Sequence, residues 1–217
     1  VSRRVTASPR RARRRPGHEV DGNRRQQLLR ASARLFRVQG FHGTSVRDIA
    51  RAAGMQSGSW VYHFPTKQDI LVAVMEEGLL DALARIEFIA AQRLAPREQF
   101  AQLVRTHLDT ILGPGQDFVP VLLYEWRSLE AGARRRVSVP LKRYEALWQS
   151  AIDALQQSGA WTGPTRIDAL LLFGALNWIA RWYRPSGPLD VDELASECVR
   201  FFLRTPPPRR KTARAAG

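Results

Sequence analysis

The residues whose types and spacing could do chemistry fall in one short run, Val46-Arg47-Asp48-Ile49-Ala50-Arg51-Ala52-Ala53-Gly54-Met55-Gln56-Ser57-Gly58-Ser59-Trp60. Ile49 and Ala53 lie four apart and give a short helix one apolar stripe. Ala50 is small where a second helix must cross, Gly54 frees the backbone for a tight turn, and Trp60 anchors the helix that follows. A small residue, a glycine four later and an apolar residue six after that is helix-turn-helix spacing. Such a unit lays its first helix across a DNA backbone and its second in the major groove. Other helical hairpins share this spacing, so the run needs support from the rest of the chain.

Catalytic chemistry finds little footing. Neither Ser57 nor Ser59 has a placed base that would make it a nucleophile. There is no Walker loop, no dinucleotide glycine fingerprint and no histidine pair at metal spacing among the four His. No catalytic residue, metal site or cofactor is therefore expected. The one cysteine, Cys198, excludes an internal disulfide framework and Cys-rich zinc sites, and fits a reducing compartment. The longest apolar stretch, 169–180, is too short to span a bilayer and contains Asn177. No apolar segment follows the N-terminal arginines, so a soluble, cytoplasmic chain is expected.

Charge supports the DNA reading. The 217 residues carry a formal net charge of +14. Residues 1–17 contribute +7, 18–68 contribute +5, 69–203 contribute −3 and 204–217 contribute +5. A basic front ahead of a mildly acidic body suits a polyanion-binding module joined to a second task. Arginine-rich tails that are merely solvated would look the same, so the tails alone decide nothing.

The elements that must position these residues read as helices throughout. Residues 1–20 lack an apolar period and are expected to be a disordered basic arm; 206–217, which opens with a proline triplet, a disordered basic tail. About nine helices are expected between them, near 22–39, 46–53, 57–63, 67–94, 97–112, 118–129, 133–158, 165–184 and 190–204. Gly40 should stop the first. Ser45 with Asp48, Thr66 with Asp69, and Asp190 with Glu193 stand at capping-box spacing. Pro140 should kink or restart its helix. The fold class is all-α: a three-helix DNA-binding domain over 21–66, then a helical ligand-binding and dimerisation domain over 67–205.

Residues 35–71, read as Leu-Phe-x3-Gly-Phe-x-Gly-Thr-Ser-Val-x-Asp-Ile-Ala-x-Ala-Ala-Gly-x3-Gly-Ser-x2-Tyr-His-Phe-x2-Lys-x-Asp-Ile-Leu, closely resemble the TetR family of bacterial transcriptional repressors. Leu35, Phe36, Gly40, Phe41, Thr44, Ile49, Ala50, Gly54, Gly58, His63, Phe64, Lys67 and Leu71 match its pattern in order and spacing. The resemblance implies that Thr44 donates its hydroxyl to a phosphate and that Arg47 faces the backbone or a base edge. It implies that Ser57, Gly58 and Ser59 open the recognition helix close to DNA, that Tyr62 and His63 lie along the groove, and that Lys67 meets a phosphate. His63 also fits a packed histidine bonded to backbone. Where the family usually carries Leu-Tyr, this chain has Trp60-Val61, so a common phosphate-binding tyrosine is missing.

A unit of this kind reads few base pairs, so a homodimer on a palindromic site is expected. The helix at 165–184 is apolar nearly all round, and with Leu194, Cys198, Phe201 and Phe202 of the last helix it is the candidate dimer surface, residues 165–204. A buried central helix of one chain is the alternative. The middle helices carry Phe88, Phe118, Tyr124, Trp126, Tyr144 and Trp148 with polar His107, Arg127 and Asn177 among them, the composition of an effector pocket or of ordinary core. Phe88, Tyr124, Trp126 and Trp148 are the candidate pocket aromatics. Asn177-Trp178-x3-Trp182-Tyr183-x-Pro185-x-Gly187-x-Leu189, together with Tyr124-Glu125-Trp126-Arg127, resembles a subgroup concerned with fatty-acid or steroid breakdown. That resemblance implies a small hydrophobic effector such as an acyl-CoA, with Arg127 near its phosphates. The expected protein is a ligand-responsive repressor and not an enzyme. The alternative is a nonspecific, architectural DNA binder.

Overall fold

The computed structural model of the protein describes residues 16–56, 58–113, 116–162 and 165–204. The expected basic arm, apart from residues 16–20, and the tail lie outside them, as do Ser57, Pro114 and Gly115. The described residues form eight α-helices and two short 3-10 turns, with no strand among them. The helices are α1 (Pro16–Gly43), α2 (Val46–Ala52), α3 (Lys67–Ala90), α4 (Pro96–Leu112), α5 (Phe118–Glu125), α6 (Ala131–Gln157), α7 (Thr165–Trp182) and α8 (Val191–Phe202). The all-α expectation holds.

All three capping boxes form. Ser45, Thr66 and Asp190 each accept from the backbone N–H three residues on, and Asp48, Asp69 and Glu193 reach back to the cap. Each pair satisfies two donors that a helix start leaves unbonded. α4 opens with Pro96 in its first turn, where a missing N–H costs nothing.

Three expectations need correction. The helix expected at 57–63 is only a four-residue 3-10 turn, Ser59–Tyr62. Its cap, Gly58, has φ 109°, a conformation in which the chain cannot yet be helical. The first helix does not simply stop at Gly40: it bends there, at φ 75°, and one more turn carries the chain to Gly43. α6 passes through Pro140 as one element, so the proline neither ends nor restarts it.

The core is organised around α3, which packs on α1, α4, α5 and α6. Ile70 to Met75 are buried in unbroken succession because neighbours surround that part of the helix. Gly78 lets α5 come close; a Cβ there would lie 2.6 Å from Phe118 Cβ. α7 is two-faced. Leu172, Leu176 and Ile179 are buried, while Ile167, Leu171, Trp178 and Trp182 are exposed, so it is not the buried central helix of one chain. No described helix is long and apolar enough to cross a membrane.

Candidate functional site

The N-terminal site is built on α2. Ile49 and Ala50 face the core, leaving Arg47 and Arg51 exposed on the outer side. The turn after it closes by bonds from Gly54 N to Arg51 O (3.1 Å) and Met55 N to Ala50 O (2.8 Å). Ser59 donates both its hydroxyl and its N–H to Gln56 O, at 2.9 and 3.1 Å. Trp60 and Phe64 pack inward, and Tyr62 stands 79% exposed with its ring edge-on to half-buried His63. Exposed Val61 occupies the place of the missing tyrosine.

Thr44 and Lys67 turn inward instead of outward. Thr44 is buried and its hydroxyl donates to Gly40 O at 2.8 Å. Lys67 Nζ donates to Phe41 O (2.9 Å) and Thr44 O (3.0 Å) and sits 4.2 Å from the Phe41 ring centroid. Together they tie the end of α1 to the starts of α2 and α3. Satisfying carbonyls at a helix end with a lysine is a familiar cap, and nothing in the residue type separates it from a phosphate contact.

The second site is a cavity of about 500 Å³ bounded by α3 to α7. Of the residues expected there, His107, Tyr124, Trp126, Arg127 and Asn177 line it. Phe88 and Trp148 do not. Phe88 is 70% exposed on the outer face of α3, and Trp148 is fully buried in the core, edge-on to Phe100 and His107. Tyr144 and Phe173 complete the wall. Phe173 precedes Asn177 by four on α7, a same-face spacing that could have pointed to it. Tyr144 is 37 residues from His107 and no local pattern links them.

Three side chains form the polar back of the cavity. His107 Nδ1 is 2.8 Å from Tyr144 Oη and Nε2 is 3.0 Å from Asn177 Oδ1. Burial pushes the His107 imidazole down to about 4, opposed only by the Asn177 bond, so the ring is neutral at pH 7. Burial likewise pushes the Tyr144 phenol up.

A larger hollow of about 1160 Å³ is a surface groove between α3, α4 and α8. Its arginines are paired: Arg85 bonds Asp81 at 2.8 Å, Arg105 bonds Asp109 at 2.6 Å and also Asp192, and Arg200 bonds Glu197. With those groups engaged, the groove offers a ligand less than the cavity does. No cluster of His, Cys, Asp and Glu among the described residues could hold a metal.

The segment 117–130 joins the two sites. Val119, Leu122, Tyr124, Trp126 and Arg127 face the cavity. Asp117 pairs with Arg37 of α1 at 2.7 Å, and Ser128 O accepts from Gln68 Nε2 of α3 at 2.6 Å. Glu125 reaches the α1 bend, where a Cβ on Gly40 would lie 3.2 Å from its Oε1.

A helix-turn-helix on a helical body with an interior cavity is the architecture of a DNA-binding transcriptional regulator. Comparison with known proteins makes this specific: residues 28–74 match the bacterial regulatory proteins of the tetR family, and residues 93–205 match the tetracyclin repressor-like C-terminal domain. The chain belongs to the TetR family of transcriptional regulators and is not an enzyme. It is 32% identical over 195 residues to the HTH-type transcriptional repressor KstR2 of Rhodococcus jostii (strain RHA1), covering 87% of this chain and 94% of that protein. Among solved structures, superantigen PfiT is 37% identical with a TM-score of 0.71, covering 84% of this chain and 97% of that one. AibR in complex with isovaleryl coenzyme A and operator DNA shares the fold, with a TM-score of 0.77 at 23% identity, covering 83% of this chain and 98% of that one.

Proposed function

We propose that this protein is a repressor that binds a palindromic operator as a homodimer and releases it when a small hydrophobic effector, such as an acyl-CoA, enters the cavity. The observation that carries the reading is the segment 117–130, which walls the cavity on one side and bonds α1 and the base of α3 on the other. An effector that prefers a shifted α5 would move the DNA-binding unit, and without such a preference nothing would shift. AibR, solved with isovaleryl coenzyme A and operator DNA, supports by likeness of fold the two kinds of partner, an acyl-CoA and DNA, and not the release step.

In this reading residues 21–66 bind DNA and 67–205 sense and dimerise. Arg47, Tyr62, His63 and the backbone at Gly58 and Ser59 meet DNA, along with Ser57. Thr44 and Lys67 hold the joint that presents them, and Lys67 keeps one of its three ammonium protons for a phosphate. Homodimerisation goes through the exposed face of α7 with α8. The protein acts in the cytoplasm, where its DNA is.

Fluorescence anisotropy with the DNA flanking its own gene, against random duplex, tests the reading. A specific ratio of about 10³ or more and release by one member of an acyl-CoA panel are expected. Equal affinity for both duplexes with a steep salt slope would mean an architectural binder instead.

A further inference from the structure

The hydrogen bonds at the back of the cavity run in one direction. An amide oxygen only accepts, so the proton between His107 Nε2 and Asn177 Oδ1 belongs to the ring. A neutral imidazole with its proton on Nε2 has a bare Nδ1, which accepts from the Tyr144 hydroxyl. The relay therefore runs from Tyr144 through His107 to Asn177 and uses every proton of the first two side chains. It ends on the Asn177 amide, whose two Nδ2 protons have no partner among the described residues.

That amide sits on the wall of a cavity whose lining includes the apolar side chains of Leu79, Ala82, Val119, Leu122 and Phe173. Thr110 is no rival donor, because its hydroxyl is bonded to Thr106 O at 2.7 Å. The charged groups of the lining, Arg127 and Glu145, are both exposed, so the inner wall has no cation. A ligand buried against it meets apolar surface and the neutral amide donors of Asn177, with the Tyr124 hydroxyl and the Trp126 indole N–H elsewhere in the lining.

On the reading that this cavity takes the effector, we propose that the effector lays an uncharged carbonyl oxygen against Asn177 Nδ2. The site then selects neutral carbonyl compounds over matching hydrocarbons and over free carboxylates. A carbonyl fills the open donors, whereas a hydrocarbon strips them of water and leaves them unpaired. A carboxylate would lose its hydration with no positive charge to replace it. The carbonyl can come from a thioester or from a ketone on the apolar body of the ligand.

Calorimetric titration of the full-length protein separates these sources. One arm compares octanoyl-CoA with S-octyl-CoA, the thioether that lacks the carbonyl, and with octanoate. The other compares 2-decalone with decalin and 2-decalol. The carbonyl member of one pair should bind about ten- to a hundredfold more tightly than its hydrocarbon match, and the pair that responds names the source. In Asn177→Leu that preference should vanish while the hydrocarbon member still binds. In the wild type, with no substitution needed, the infrared carbonyl stretch of the bound ligand should move to lower frequency. Binding without discrimination in either pair, preference for octanoate or decalol, or an unshifted carbonyl stretch overturns the assignment but leaves the cavity a sensor. Failure of every probe to bind overturns the sensor reading with it.

Discussion

Lys67 and Arg47 are both basic and both lie within residues 28–74, which match the tetR family, yet the structure gives them different work. Lys67 holds two carbonyls of the α1–α2 joint, whereas Arg47 stands exposed on α2. Lys67→Met should lower unfolding free energy by about 1–3 kcal/mol in urea titrations, since charge-assisted bonds to buried carbonyls are lost. Arg47→Ala should leave stability within about 0.5 kcal/mol while weakening DNA binding and reducing the salt slope by roughly one. Substitution of Tyr62 should alter which duplex is preferred, read by anisotropy across a set of single-base operator variants. His107 adds a pH dependence. Its folded value, about 4, lies below the ordinary 6.5, so the unfolded chain takes up a proton first as pH falls. Its contribution is complete above about pH 6.5 and is lost progressively toward pH 4, at a slope of at most about 1.4 kcal/mol per unit. His107→Gln should flatten the urea-midpoint profile over that window; an unchanged slope would mean that His107 is not the titrating group. Residue types alone marked His107 and Asn177 as odd polar groups among aromatics, but Tyr144 joined them only through folding.

Elements whose boundaries depend on a few neighbouring residues were readable. The three capping boxes formed because a side chain three residues from its partner needs no tertiary help. The reading element was not readable in the same way. Gly58 breaks the backbone just before it, and Trp60 and Phe64 are pulled into the core, leaving only a 3-10 turn. α6 shows the opposite effect, as buried Val137, Tyr144 and Trp148 on both sides of Pro140 hold the helix through it. The α3–α5 crossing is set by contact at Gly78. Gly78→Ala should destabilise the protein by about 1–3 kcal/mol, as overpacking does, because its Cβ meets Phe118 side chain and backbone. As α5 also walls the cavity, the same variant should bind effector less tightly while free operator affinity also changes; thermal unfolding and anisotropy on one sample check both.

At the scale of the whole molecule, the exposed face of α7 asks for a partner. Ile167, Leu171, Trp178 and Trp182 recur at helical spacing and remain 52–65% exposed, and a Cβ on Gly174 would meet nothing within 4 Å. Trp178→Glu should yield a folded monomer by analytical ultracentrifugation and lose high-affinity operator binding, since one unit then reads a single half-site. A dimer that survived this change would place the interface elsewhere. Helical class, helix starts and the DNA-binding run could be read without coordinates because each depends on contacts within a few residues of chain. Folding alone settled which face of α7 is left bare, which aromatics line a cavity and which are core, and how Tyr144, His107 and Asn177 come to share one relay. Those outcomes depend on residues tens of positions apart meeting across helices, and no local spacing encodes where two helices will cross.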